Sequence, residues 1–361
     1  GGAVGACALF ARYDPAGVDR DGMAALLTAG GMTVLAALIG IAVGIGDFKK
    51  IPRREAVVIV GLGWLLCGVF GGLPYVFCPP HLSFSGAVFE SVSGFTTTGS
   101  TVMTDITAWP RGVILWRAVT QWLGGLGILV LFVAVLSYLG VGSKSLFRNE
   151  SSFQTGEATT VRIRDTALLL WRIYLVITVV GGLGLRGMGM TWFNSVAHVF
   201  TAVSTGGFSP HNASVGYYSG WGNGWLIELW LTWLMGSCSL NFLIYVVIVR
   251  KAWKRLRNEE DGRWFVGVCV VVMLMVAGGI AIECGGSFWN GLRQSSFTVV
   301  SIASTTGFAT VDYERWPVFG QAMLAVLMVI GGCSGSTAGG IKFGRMLVFA
   351  KTVRYDVVRA F

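Results

Sequence analysis

Charge is scarce in this chain. Asp, Glu, Lys and Arg make up only 12% of its 361 residues, apolar types make up 54%, and mean hydropathy is +0.68. So little charge excludes a soluble domain of any size and matches a polytopic membrane protein. Histidine is scarcer still: His81, His198 and His211 have no ligand-like spacing, and His198 is expected to hydrogen-bond locally. No paired carboxylates or nucleophile–base set suited to catalysis can be found, so the reading is a non-enzyme with no organic cofactor. The seven cysteines (Cys7, Cys67, Cys78, Cys238, Cys269, Cys284, Cys333) form no CxxC pair and mostly sit in or beside apolar runs. They read as small hydrophobes rather than disulfide partners or metal ligands. No initiator methionine or charged n-region opens the chain, so no signal peptide is evident and Gly1 is not expected to be the natural start.

The charge that is present is one-sided, with a formal net of +9. A basic balance can mean nucleic acid, but here the basic residues cluster between apolar spans, which assigns them to membrane topology. Spans of sufficient length, about 20 residues per crossing, are expected at 23–45, 56–77, 113–138, 167–185, 226–249 and 264–282. An outside loop is expected at 11–22. Lys49, Lys50, Arg53 and Arg54 follow the first span; Lys144 and Arg148 follow the third. Arg250, Lys251, Lys254, Arg255, Arg257 and Arg263 separate the fifth and sixth, and Lys342, Arg345, Lys351, Arg354 and Arg359 close the chain. All these clusters fall on one side, the cytoplasmic one. No nucleic-acid partner is implied; the surroundings are a lipid bilayer.

One stretch recurs. Residues 89–100 read FESVSGFTTTGS, 196–207 read VAHVFTAVSTGG and 297–308 read FTVVSIASTTGF. Aligned on an apolar segment, two hydroxyl residues and a glycine, the copies give Thr97-Thr98-Gly99, Ser204-Thr205-Gly206 and Thr305-Thr306-Gly307. A fixed-period repeat governs the fold. Each apolar lead of roughly 10–14 residues is too short to span a bilayer and reads as a re-entrant half-helix. Its C-terminal end aims partial negative charge at a cation. Stacked backbone carbonyls can replace a cation's hydration shell, and glycine permits the dihedrals that turn them inward. Three coincidental polar loops would be the bland alternative.

Two glycine-rich near-misses among the 52 glycines carry no nucleotide chemistry. In residues 335–342, GSTAGGIK, Ile341 breaks the Gly-Lys adjacency of a phosphate loop, and no strand precedes it. In 182–187, GLGLRG closes a membrane span instead of opening a helix after a strand.

The three copies, with LWRAVTQWLGGLGILVL at 115–131 and GGCSGSTAGGIK at 331–342, resemble the Trk/Ktr/HKT superfamily of potassium transporters, specifically its TrkH/KtrB membrane subunits. That resemblance covers nearly the whole chain. It implies an all-α polytopic membrane protein in which pseudo-symmetric helix–pore-loop–helix repeats surround a central pore, as in potassium channels. The expected division is 1–54 (N-terminal helices, the first truncated), 55–148 (repeat 1), 149–258 (a cytoplasmic linker at 143–165 and repeat 2) and 259–361 (repeat 3). A fourth repeat, which the superfamily has, is absent from this chain, so these residues alone are not expected to conduct.

The filter implied for K+, the transported ion, is Thr97, Thr98, Gly99, Ser100, Ser204, Thr205, Gly206, Gly207, Thr305, Thr306, Gly307 and Phe308. In the superfamily a serine at the first filter glycine is associated with sodium; glycine at 99, 206 and 307 favours potassium. The third inner helix is apolar only over 319–330, and the next ten residues contain five glycines, too many for a stable lipid-facing helix. The resemblance makes this an intramembrane gate of Gly331, Gly332, Cys333, Ser334, Gly335, Ser336, Thr337, Ala338, Gly339 and Gly340, with Lys342 at its cytoplasmic edge. A packing-driven kink is the alternative. Arg117, inside an apolar helix, is expected to brace the first filter against Glu90, or else to snorkel. Gly124, Gly125 and Gly127 are expected to give close packing.

The implied function is potassium uptake across the cytoplasmic (inner) membrane. A homodimer and a cytosolic nucleotide-binding regulatory subunit are the implied partners. A cation-coupled secondary transporter shares broken helices and repeats but normally carries midplane charges, of which this chain has few.

Overall fold

The computed structural model describes residues 2–13, 19–44, 53–138, 163–249, 251, 259–283 and 287–360. Lys49, Lys50, Lys144, Arg148, Arg250, Lys254, Arg255, Arg257, Cys284 and most of the expected linker lie outside these residues. The described residues are helical or irregular, with one isolated bridge, Ile330 to Ile341. The all-α expectation holds.

Two helices lead, α1 (Gly2–Tyr13) and α2 (Arg20–Val43). The loop expected at 11–22 is therefore shorter, because Asp19 caps α2 by accepting from Gly22 N at 2.8 Å. The other carboxylate oxygen of Asp19 accepts from Gly112 N at 3.1 Å, tying α2 to the start of a later helix.

Repeat 1 contains α3 (Arg53–Phe77), α4 (Phe84–Phe95) and α5 (Arg111–Tyr138). Repeat 2 contains α6 (Ile163–Gly187), α7 (Trp192–Val203), α8 (Gly224–Ser239) and α9 (Phe242–Val249). Repeat 3 contains α10 (Glu260–Glu283), α11 (Phe288–Ala303), α12 (Val318–Val329) and α13 (Phe343–Ala360). Among the described residues four helices are long and apolar enough to cross a membrane: α2, the 58–77 part of α3, the 168–187 part of α6, and α10. Their apolar side chains face outward, as with Leu35, Leu38 and Ile41 on α2 or Val270 and Leu274 on α10. Outward-facing hydrophobics are what a lipid solvent rewards and water does not.

The half-helices begin and end for local reasons. Ser83 and Thr191 cap α4 and α7 by accepting from Gly86 N (3.2 Å) and Asn194 N (3.3 Å). The three helices end alike, at Thr96, Ser204 and Ser304, followed by a threonine in left-handed conformation. α11 has 16 residues where α4 and α7 have 12, and in its first turn Gly291 packs against the backbone of Ala277 on α10.

One expectation fails. The inner helix of repeat 2, expected to run unbroken over 226–249, is two helices, α8 and α9, bent by 91°. Leu240 is extended (φ −80°, ψ 160°), and Asn241 Oδ1 accepts from Leu243 N at 2.9 Å, satisfying a donor at the start of α9. The apolar run hides the break, since periodicity cannot register one capping residue. The expected break in repeat 3 is present: α12 stops at Val329, and the chain resumes as α13 at Phe343.

Candidate functional site

The three copies share one backbone. Thr97, Thr205 and Thr305 stand at φ +55°, +53° and +57°; two residues later Gly99, Gly207 and Gly307 stand at +80°, +78° and +83°. β-Branched residues rarely occupy that region. Each such threonine stores about 1–3 kcal/mol of strain, tolerated only where the surroundings fix the backbone. The hydrogen bonds repeat too. Thr98 N donates to Ser93 O, Gly206 N to Thr201 O and Thr306 N to Ser301 O, at 2.8–2.9 Å.

This signature corrects the alignment of the second copy. Gly207, not Gly206, is equivalent to Gly99 and Gly307; Gly206 stands where the other copies carry Thr98 and Thr306. The sequence offered two adjacent glycines, and only the dihedrals distinguish them. All three equivalent positions remain glycine.

The copies also meet. A Cβ on Gly99 would lie 2.1 Å from Gly206 O, and one on Gly207 would lie 1.8 Å from Thr306 O. A Cβ on Gly307 would meet nothing within 4 Å among the described residues. That open side faces a cavity of about 350 Å³ whose lining includes Thr98, Gly99 and Ser100 from the first copy, Gly207 from the second and Thr305–Ala309 from the third. Every lining residue is uncharged. Among the described residues the lining thus offers hydroxyl and backbone oxygens beside the apolar side chains of Ile302, Phe308 and Met328, and no fixed charge.

Two ion pairs support these segments, one buried and one with an exposed arginine. Arg117 on α5 is 2% exposed, and its Nε donates to Glu90 Oε1 at 2.6 Å. Its Nη1 donates to Ser209 O (3.3 Å), and the guanidinium lies 3.4 Å from the centre of the Phe208 ring. Glu90 also accepts from Thr101 Oγ1 (2.9 and 3.0 Å) and Val102 N (3.0 Å), just past the first copy. The expected Arg117–Glu90 contact is present, and it joins the first copy to the second. Between repeats 2 and 3, Arg293 on α11 holds Glu228 on α8 bidentately (2.6 and 2.9 Å). Of the expected close-packing glycines, Gly124 packs hardest: a Cβ there would lie 2.0 Å from Phe95 O, at the end of α4. Gly125 abuts Ser204, whereas Gly127 is 3.6 Å from Trp64, an ordinary contact.

His198 makes the local bond expected of it, Nδ1 to Asn194 O at 2.8 Å. In the loop after the second copy, His211 stacks on Tyr217 at 3.8 Å. Burial, with a smaller contribution from Arg111, pulls the His211 imidazole below its ordinary range. It therefore stays neutral near pH 7.

The glycine-rich segment lies directly against two copies. Thr205 Oγ1 donates to Thr337 Oγ1 (3.3 Å), and Thr337 Oγ1 also reaches Val203 O and Cys238 O, each at 3.3 Å. Gly339 N donates to Thr305 Oγ1 at 2.7 Å. The segment is a closed turn: Gly331 N donates to Ile341 O (3.0 Å) and Phe343 N to Gly332 O (3.1 Å), with Gly335 and Gly340 left-handed. Cys333, Ser336, Thr337 and Ala338 are buried, while Ser334 is half-buried. Lys342 is half-buried, and its Nζ donates to Ala338 O. The break in repeat 2 is its dock. Cys333 N donates to Ser239 O (2.9 Å), and Phe242 N to Gly335 O (3.1 Å). On the α10 side, Asp261 Oδ2 accepts from Ser334 N at 3.0 Å. Neighbouring Glu259 is buried, and its carboxyl is pushed up by burial and then by Asp261.

The sequence reading missed Gln121, Asn241 and Asp261. The first two carried a signal, a polar side chain inside an apolar run, which had been used for Arg117 alone.

A family model described as TrkH, cation transport protein, matches residues 47–283 and 285–361. The chain belongs to this family. Among curated proteins, it is 38% identical over 359 residues to the Trk system potassium uptake protein TrkH of Halomonas elongata, covering 92% of this chain and 71% of that one. The Escherichia coli protein of that name is 36% identical, over 86% of this chain and 64% of its own length. In structure, the chain resembles the crystal structure of the potassium transporter TrkH from Vibrio parahaemolyticus, with TM-score 0.86, 29% identity, and coverage of 99% of this chain and 72% of that one. The chain thus spans about two thirds of the length of these relatives. Membership accounts for the all-helical fold and its pseudo-symmetric re-entrant repeats.

Proposed function

We propose that this chain forms part of a selective pore for potassium uptake across the cytoplasmic membrane, with the filter at 97–100, 205–208 (the second copy in its corrected register) and 305–308. One observation carries the reading: three re-entrant segments with a single strained backbone signature pack against one another beside an uncharged cavity that hydroxyl and backbone oxygens help to line. Left-handed dihedrals at alternate residues bring successive carbonyls to one face, and such a face can replace the hydration shell of a monovalent cation. The relatives' names, which specify potassium, support the ion's identity. Flux would follow the membrane potential, worth about 2.3 kcal/mol per charge per 100 mV, so inside-negative cells would accumulate the ion without nucleotide hydrolysis by this chain. The open side of Gly307 suits a fourth segment of the same kind.

Residues 331–340 act as the gate in this reading, since they lie against Thr205 and Thr305 and are held by hydrogen bonds individually worth about 1 kcal/mol. A cytosolic nucleotide-binding regulatory subunit would dock on the basic loops, and the assembly would be a homodimer. The deciding experiment measures potassium and rubidium flux in liposomes, with imposed sodium and proton gradients. Flux that follows the potassium gradient and voltage alone supports a pore. Flux driven uphill by sodium or protons would replace that reading with a coupled transporter. Deleting 331–340 should raise flux; unchanged or lower flux in a folded variant removes the gate.

A further inference from the structure

The second copy lacks two braces that the other copies have. In copies one and three a serine on the half-helix reaches past the glycine: Ser93 Oγ donates to Ser100 O (2.6 Å), and Ser301 Oγ to Phe308 O (2.7 Å). The equivalent Thr201 turns its hydroxyl back onto its own helix, to Ala197 O (3.1 Å) and His198 O (3.2 Å). Copies one and three also join the hydroxyl after the left-handed threonine to the helix cap, Thr98 to Thr96 (2.8 Å) and Thr306 to Ser304 (2.7 Å). Gly206 has no hydroxyl to offer.

Gln121, fully buried on α5, occupies that place. Its Nε2 donates to Gly206 O at 2.8 Å, and its Oε1 accepts from Phe208 N at 3.1 Å. A Cβ on Gly206 would lie 2.3 Å from Gln121 Cδ, so a threonine there would displace the amide from its present place. The Gly206 carbonyl it holds is the one that backs onto Gly99, at the seam between copies one and two.

We infer that Gln121 is a specificity-determining positioning residue: from outside the repeat it supplies the brace the second copy lacks and so sets the spacing between the first two filter segments. This rests on the filter reading above. Discrimination between ions differing by a few tenths of an ångström in radius requires the oxygens around them to keep their spacing. Removing both halves of one buried amide clamp should let that seam relax.

The test uses the full-length transporter carrying these residues, in liposomes, with potassium, rubidium and sodium flux as readouts. Gln121→Ala should keep potassium flux and lower the potassium-to-sodium ratio roughly tenfold, the scale of one well-placed buried hydrogen bond. Gln121→Met, which keeps the bulk and loses the amide, should do the same and guards against a folding defect in the alanine variant. Gly206→Thr alone should lower both flux and the potassium-to-sodium ratio, because the new side chain displaces the Gln121 amide. Gly206→Thr in the Gln121→Ala background should recover flux and at least half of the lost discrimination, since the hydroxyl then replaces the amide. An unchanged ratio in both Gln121 variants overturns the inference, as does a double variant no better than Gly206→Thr alone. Absence of any potassium flux in the parent protein would instead remove the filter reading on which the inference stands.

Discussion

The first two re-entrant segments and the third are built alike and packed differently. Gly99 and Gly207 each press an α-carbon onto the neighbouring segment's carbonyl, while Gly307, at the same dihedral, faces open space. The supports differ as well. The seam between segments one and two is held by Arg117, Glu90 and Gln121. Segments two and three rest on the glycine-rich turn through Thr337 and Gly339. One backbone conformation can therefore be imposed by quite different surroundings. What is conserved between the copies is the strain, and what varies is how it is contained.

Substitutions at the glycines test this contrast most severely. Gly207→Ala and Gly99→Ala place a methyl group 1.8 and 2.1 Å from a backbone oxygen, and both are expected to abolish flux in protein that still reaches the membrane. Gly307→Ala meets no neighbour among the described residues and bears only the left-handed penalty, about 1–2 kcal/mol, so without a further segment on its open side it should keep measurable rubidium uptake. If Gly307→Ala proves as damaging as Gly207→Ala, a further segment occupies that side in the working protein, as the filter reading expects. Arg117→Ala leaves Glu90 buried without its charge partner and should cost about 3–5 kcal/mol in thermal or denaturant stability. It should also alter selectivity; unchanged selectivity in a conducting variant would remove the bracing role. The smallest effect is expected at the turn. Thr337→Val deletes hydrogen bonds worth about 1 kcal/mol each and should raise flux by a few-fold at most. A decrease would argue that the turn supports the filter instead of obstructing it.

Much of this was legible in the chain itself, but unevenly. The repeat was visible because the same short apolar lead, hydroxyl pair and glycine recur, and the half-helices were visible because 12 residues cannot cross a bilayer. The break at 331–340 was visible because glycine density opposes a helix. The break at Leu240-Asn241 was not: a single capping side chain produces it, inside a run that is apolar on both sides. The register of the second copy was also out of reach, since two neighbouring glycines are equivalent in composition and differ only in φ. Gln121 lay in plain view among apolar residues, yet its partner is 85 residues away, on a different repeat.

The sequence alone determined the class and the re-entrant segments, because those follow from hydropathy, length and local backbone preference. Only the tertiary structure decided which glycine is which, what holds each segment, and where the turn docks. Those depend on contacts a few ångströms long between residues far apart in the chain, and local preference carries no information about them.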